Sequence, residues 1–115
     1  MLKQGKVWGS TQLVHKCDNF ELHRLEIYPN MRCSKHCHKH KFNDFFVESG
    51  HIKIPVWKND YDLVDVTELK AGEKTTTKPG EYHCFEAVEY SVVYEFYYAR
   101  MDSNDIERED HGGKA

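Results

Sequence analysis

Turn-forming residues recur along this chain about every 8–12 positions, and that rhythm limits what it can fold into more than any other feature. Pro29-Asn30, Ser49-Gly50, Lys58-Asn59-Asp60, Ala71-Gly72 and Pro79-Gly80 all carry residue types that tight turns require. Between and around them run short segments that read as strands: Gln12–Lys16, Phe20–Tyr28, Ser34–His38, Asn43–Ser49, His51–Trp57, Leu63–Leu69, Tyr82–Ala87 and Ser91–Ala99. Ser91–Tyr98 alternates best, with Val92, Tyr94, Phe96 and Tyr98 on one face and Glu95 on the other. No segment before residue 100 has helical periodicity. The fold class is therefore all-β, a sandwich or barrel. From Asp102 the chain turns polar, with room for a short helix capped near Ser103 before a Gly112-Gly113-Lys114-Ala115 end expected to be mobile. Residues 1–101 thus read as the barrel and 102–115 as a polar tail.

A chain of 115 residues fits one domain with one modest core. Its 39% hydrophobic and 13% aromatic content is that of a globular protein and argues against disorder. The formal net charge is −3 and the pI about 6.2, which excludes the concentrated basic face a nucleic-acid partner needs. The longest apolar runs, such as Val92–Val93 and Phe45–Val47, are too short to span a bilayer, so no membrane partner is expected. Met1–Ser10 has no signal-peptide character. A cytoplasmic location follows as an expectation, and with it reduced thiols at Cys17, Cys33, Cys37 and Cys84. A zinc finger is excluded, because no second close Cys or His pair follows Cys33 and Cys37 at finger spacing.

The chemistry concentrates in one stretch, Cys33-Ser-Lys-His-Cys-His-Lys-His-Lys-Phe-Asn-Asp. On a strand, His36 and His38 would point to one side and Cys37 to the other. Two neighbouring imidazoles can share one metal ion, and His83, in Pro79-Gly-Glu-Tyr-His, is the natural third donor. His-rich runs are also often solvated surface, and Lys35, Lys39 and Lys41 give this one a wet look. The spacing around the histidines favours the metal.

That spacing resembles the cupin family. Its first motif is Gly, five residues, His-x-His, three or four residues, Glu, six residues, Gly. Here Asn30 takes the first Gly position, His36 and His38 follow, Asn43 stands at the Glu position and Gly50 closes the motif. Gly72 and Pro79-Gly80-x-x-His83-Cys-Phe-Glu86 resemble the second motif, with Gly80 one position early. Val7-Trp8-Gly9-Ser10, His23-Arg-Leu-Glu-Ile-Tyr-Pro29 and Asn104-Asp105-Ile106-Glu107-Arg108-Glu109-Asp110 are similar to stretches of the cupin domain of type II mannose-6-phosphate isomerases. The resemblance implies a single small jelly-roll-type barrel. It also implies a divalent metal (Zn, Mn, Fe or Ni) held by His36, His38, Asn43 and His83, a small-molecule ligand such as a sugar, and a homodimer. The aromatic surface expected at the dimer contact lies near Trp8 and Tyr97–Tyr98.

Three departures carry consequences. Asn43 replaces an anionic ligand by a neutral amide, which leaves the site more positive and its hold on a metal weaker. His40 shares parity with His36 and His38 and is a spare donor if the strand continues. The family's terminal Tyr-Gly-Arg is replaced by His111-Gly112-Gly113, leaving Arg108 as a substitute for the missing Arg. The leading function is metal-dependent aldose–ketose isomerisation or epimerisation of a sugar or sugar phosphate, with the metal as Lewis acid. A non-enzymatic binding module comes second and a three-His Fe(II) dioxygenase third. Glu81, Glu26 and Lys78 are alternative catalytic bases, and sequence does not choose among them. Aromatic side chains at Phe45, Phe85, Tyr94, Phe96 and Tyr98 suit either a core or a ligand pocket.

Overall fold

The computed structural model describes residues 2–58, 63–99 and 114. Among these described residues there are ten strands: β1 (Lys3–Lys6), β2 (Gly9–Cys17), β3 (Phe20–Ile27), β4 (Phe42–Ser49), β5 (His51–Trp57), β6 (Val64–Lys70), β7 (Lys74–Thr77), β8 (Tyr82–His83), β9 (Glu86–Ala87) and β10 (Ser91–Tyr98). Six of them form one sheet in the order β1-β2-β3-β10-β4-β7. The second sheet has the order β6-β5-β8, and β9 also pairs with β5. Every pairing is antiparallel. This is the all-β, two-sheet barrel expected. No helix among the described residues is long and apolar enough to cross a membrane.

The core lies between the sheets, where Leu25 and Ile27 of β3, Phe45 and Val47 of β4, and Ile52 and Ile54 of β5 are each 1% exposed or less. Each pair is spaced two residues apart, so each strand contributes alternate side chains to the interior. Burying an aliphatic or aromatic side chain of this kind contributes about 1.5–3 kcal/mol. Trp8 closes one side by meeting Phe85 edge-on, with ring centroids 4.9 Å apart.

Several elements differ from expectation. Ser34–His38 is not a strand: only Arg32↔Glu86 and His36↔His83 form isolated bridges there. Ser34 and Lys35 are exposed between those bridges, so nothing buries alternate residues and regular pairing lapses. Tyr82–Ala87 is likewise interrupted, at Cys84-Phe85. β1 and β7 are short edge strands with little apolar content, and so lacked the signal that marks the others. On β10 the inward face is Val93, Glu95 and Tyr97, in register with Leu25, His23 and Glu21 of β3. Tyr94, Phe96 and Tyr98 therefore lie on the outer face, away from the core, and Tyr98 lines a separate cavity together with Phe20 and Lys41. Phe45 and Phe85 are core. Residues 102–113, including the helix expected near Ser103 and Arg108, lie outside the described residues.

Candidate metal centre

The segment holding His36 and His38 is pinned to the strand that carries His83. His36 and His83 exchange backbone hydrogen bonds of 3.0 and 2.8 Å, and the Gly80 amide donates to the His38 carbonyl at 2.7 Å. These contacts bring the imidazoles together although the segment is not a strand. Ring centroids are 5.2 Å apart for His36–His38, 4.7 Å for His36–His83 and 5.9 Å for His38–His83. One ligand atom from each ring lies within 4.8 Å of the others, an arrangement that could hold a metal ion. Ligands about 2.1 Å from one ion sit about 3–3.4 Å apart, so small side-chain rotations complete the sphere. His40 is exposed and stands outside this group.

The hydrogen bonds fix which nitrogens are free. The Nδ1–H of His36 donates to the Ser34 carbonyl at 2.7 Å, and the Nδ1–H of His83 donates to the Glu81 carbonyl at 3.0 Å. Backbone acceptors of this kind set the tautomer and leave Nε2 as a lone pair. His38 Nε2 is buried with no partner. Burial, reinforced by the charges of His36 and His83, lowers the His38 pKa to about 4. Burial also pulls the His83 pKa below its usual value, against the opposing Glu81 carbonyl. Both rings are therefore neutral at physiological pH, the state a metal requires.

Asn43 completes the picture. It is fully buried on β4, and its Oδ1 lies 2.9 Å from His83 Nε2. Since the only N–H of a neutral His83 is already given to Glu81, two acceptors face one another. Cis ligands on a shared ion, with bonds of about 2.1 Å, stand about 3.0 Å apart. The donor set thus fits a divalent metal: three imidazoles, an orphaned buried nitrogen and an amide oxygen at ligand spacing. Asp44 points away as the alternation requires, toward Lys74 Nζ at 2.5 Å and the Tyr98 hydroxyl at 3.0 Å.

A cavity of about 280 Å³ opens beside His36, lined also by Gln4, Lys6, His23, Glu95 and Tyr97. Glu95 is the residue missed from sequence. Burial raises its pKa, opposed by the Tyr97 hydroxyl, the charges of His23 and His36, and the Asn43 amide. A lone acid on the same face as Val93 was the available signal. The bases considered from sequence are engaged elsewhere. Glu81 accepts from Lys58 Nζ at 2.7 Å and from the Lys78 amide at 2.7 Å. Glu26 accepts from Lys3 at 2.7 Å and Arg24 at 2.8 Å, while Lys78 is exposed.

A two-sheet barrel with three convergent histidines is the arrangement of the cupin class. The family model described as mannose-6-phosphate isomerase C-terminal matches residues 3–108, and the chain belongs to that family. Among solved structures it is similar to KdgF from a Halomonas species, at 14% identity and a TM-score of 0.75, covering 88% of this chain and 90% of that one. The cupin domain of Schizosaccharomyces pombe Cnp3 aligns at 14% identity and a TM-score of 0.74, over 87% and 69% of the two chains. A Bacillus subtilis oxalate decarboxylase variant aligns at 12% identity and a TM-score of 0.74, covering 85% of this chain but only 27% of its own. Identities this low speak for the fold alone. No curated protein matches the chain.

Proposed function

We propose that this protein is a divalent-metal cupin acting on a sugar or sugar phosphate by aldose–ketose isomerisation or epimerisation. The observation that carries the reading is the set of imidazole lone pairs meeting the Asn43 oxygen beside a cavity that holds a carboxyl group. His36, His38 and His83 would hold the metal, with Asn43 as a neutral fourth ligand. When bound, the ion supplies Lewis acidity toward a substrate carbonyl or hydroxyl oxygen. At about 280 Å³, the cavity suits a monosaccharide better than a drug-sized molecule. Glu95, which lines that cavity, would take the proton from the carbon beside the carbonyl and return it to the neighbouring carbon. Burial raises its pKa, which makes the ionised carboxyl a stronger base than an exposed one.

The test pairs metal analysis with a reaction assay. Purified protein should carry about one divalent ion per chain and interconvert mannose 6-phosphate and fructose 6-phosphate, or exchange the C2 proton of either in deuterated water. Glu95→Gln should stop the exchange while the metal stays. Metal-loaded protein that exchanges no proton in any aldose or ketose phosphate would overturn the isomerase reading, and protein that takes up no metal would overturn the whole.

A further inference from the structure

We infer that His23, held by Glu21, is a second proton carrier in the cavity, moving a proton between the two substrate oxygens while Glu95 moves the carbon proton. This rests on the isomerase reading above. Glu21, His23 and Leu25 alternate along β3, opposite Tyr97, Glu95 and Val93 of the inward face of β10. His23 and Glu95 are thus direct cross-strand neighbours, a placement that sets Cβ atoms about 4.5–5.5 Å apart. Both side chains line the cavity beside His36. The imidazole is fixed from two sides. His23 Nε2–H donates to Glu21 Oε2 at 2.9 Å, and the ring meets Tyr97 edge-on with centroids 5.9 Å apart. The other Glu21 oxygen lies 3.5 Å from Lys16 Nζ.

An ionised carboxylate only accepts, so the ring keeps a proton on Nε2 and gains or loses its other proton at Nδ1. The hydrogen bond from His23, against the opposing effect of burial, holds the Glu21 carboxyl below the usual carboxylate range. Glu21 is therefore an anion that steadies the imidazolium. Aldose–ketose exchange moves two protons, one between carbons and one between oxygens, and Glu95 cannot carry the second while it holds the first. Glu95 takes the C2 proton, the released pair forms the C1–C2 double bond, and the carbonyl pair passes to O1, which takes the Nδ1 proton of His23. The product is an enediol beside a neutral imidazole. Nδ1 then takes the O2 proton, the C2 carbonyl forms, and the double-bond pair at C1 takes the proton back from Glu95. Both residues end as they began, and no co-reactant is needed. Glu21 touches no reacting atom and is a positioning residue.

The test separates exchange at carbon from net conversion, using the full metal-loaded chain with mannose 6-phosphate in deuterated water. His23→Gln should slow conversion to fructose 6-phosphate about a hundredfold, the usual loss of an acid–base group, while C2–H exchange falls less than about tenfold. Its metal content and Tm should match wild type. In His23→Ala, added imidazole should restore part of the conversion, which it would not do for a ring with a merely structural role. Glu21→Gln keeps an acceptor but loses the charge, and should lower kcat more than it changes KM. His23→Gln converting at the wild-type rate, exchange and conversion falling by the same factor, His23→Ala unmoved by imidazole, or Glu21→Gln with an unchanged kcat would each overturn the inference. Wild-type protein that exchanges no proton would instead sink the isomerase reading beneath it.

Discussion

Asn43 sets the charge of this site, because a neutral amide stands at the position that the resembled cupin motif gives to Glu. Asn43→Leu should therefore weaken metal retention less than His38→Ala, which removes a buried imidazole nitrogen that has no other partner. Asn43→Glu should tighten retention, yet it sets a second carboxyl beside Glu95. Without metal that variant should melt below wild type, and with metal its gain in Tm should exceed that of wild type; calorimetry of both forms checks the pair of outcomes. A failure of Asn43→Glu to retain metal better than wild type would show that residue 43 is not at the ligand position. The cysteines separate by environment. Burial raises the Cys33 thiol to about 12 and pushes Cys84 up as well, so both stay protonated at pH 8. A thiol reagent at pH 8 should thus modify exposed Cys17 at once and reach Cys33 and Cys84 only on unfolding. The three histidines were legible from spacing, since His-x-His and a later His need only type and interval. Glu95 was not, because its importance comes from the strands on either side of β10, which sequence does not place. Asn30 at the family's glycine position is explained by its φ of 63°, a left-handed conformation that asparagine tolerates better than other non-glycine residues.

Turns set this fold, and they were the most legible elements. Gly50, between β4 and β5, has φ 98°, and a Cβ there would lie 2.5 Å from the Tyr90 carbonyl and 2.7 Å from Ser91 Cα. Both contacts are to backbone that cannot give way. Gly50→Ala should cost about 2–3 kcal/mol in strain, read as a lower urea midpoint with unchanged m-value. Strand existence was also readable where burial alternates, as on β3 and β10, but the inward face of β10 was not. Its outward side chains are the larger and more aromatic ones, so residue type alone suggests the opposite orientation. Ser34–His38 misled for a related reason. The two-residue histidine spacing looks like strand alternation, whereas bridges at His36 and Arg32, not a ladder, hold the segment in place.

At the scale of the whole molecule, the outer face of the six-stranded sheet carries a stack of rings. Phe42–Tyr98 centroids lie 5.4 Å apart, and Phe96–Tyr98 and Phe20–Phe96 each lie 6.1 Å apart. We propose this face as the apolar surface of the homodimer expected from sequence. Trp8 packs against the core and Tyr97 faces the interior, so neither supplies it. Light scattering at micromolar concentration should read a dimer, and Phe96→Lys should shift it toward monomer; wild type that stays monomeric counts against this assembly. Metal should stabilise the fold as any native-state ligand does, by about 2.7 kcal/mol at a hundredfold excess over Kd, and a chelator should remove that increment. The strand order also has a bearing on how the protein is made. β10 lies between β3 and β4, although it follows both by more than forty residues. Until residues 91–98 have left the ribosome, β3 and β4 have no common neighbour and each exposes an unpaired edge. The nascent chain must wait in that state for its closing strand, which makes the interval before β10 emerges the time when this small barrel is most open to mispairing and to chaperones.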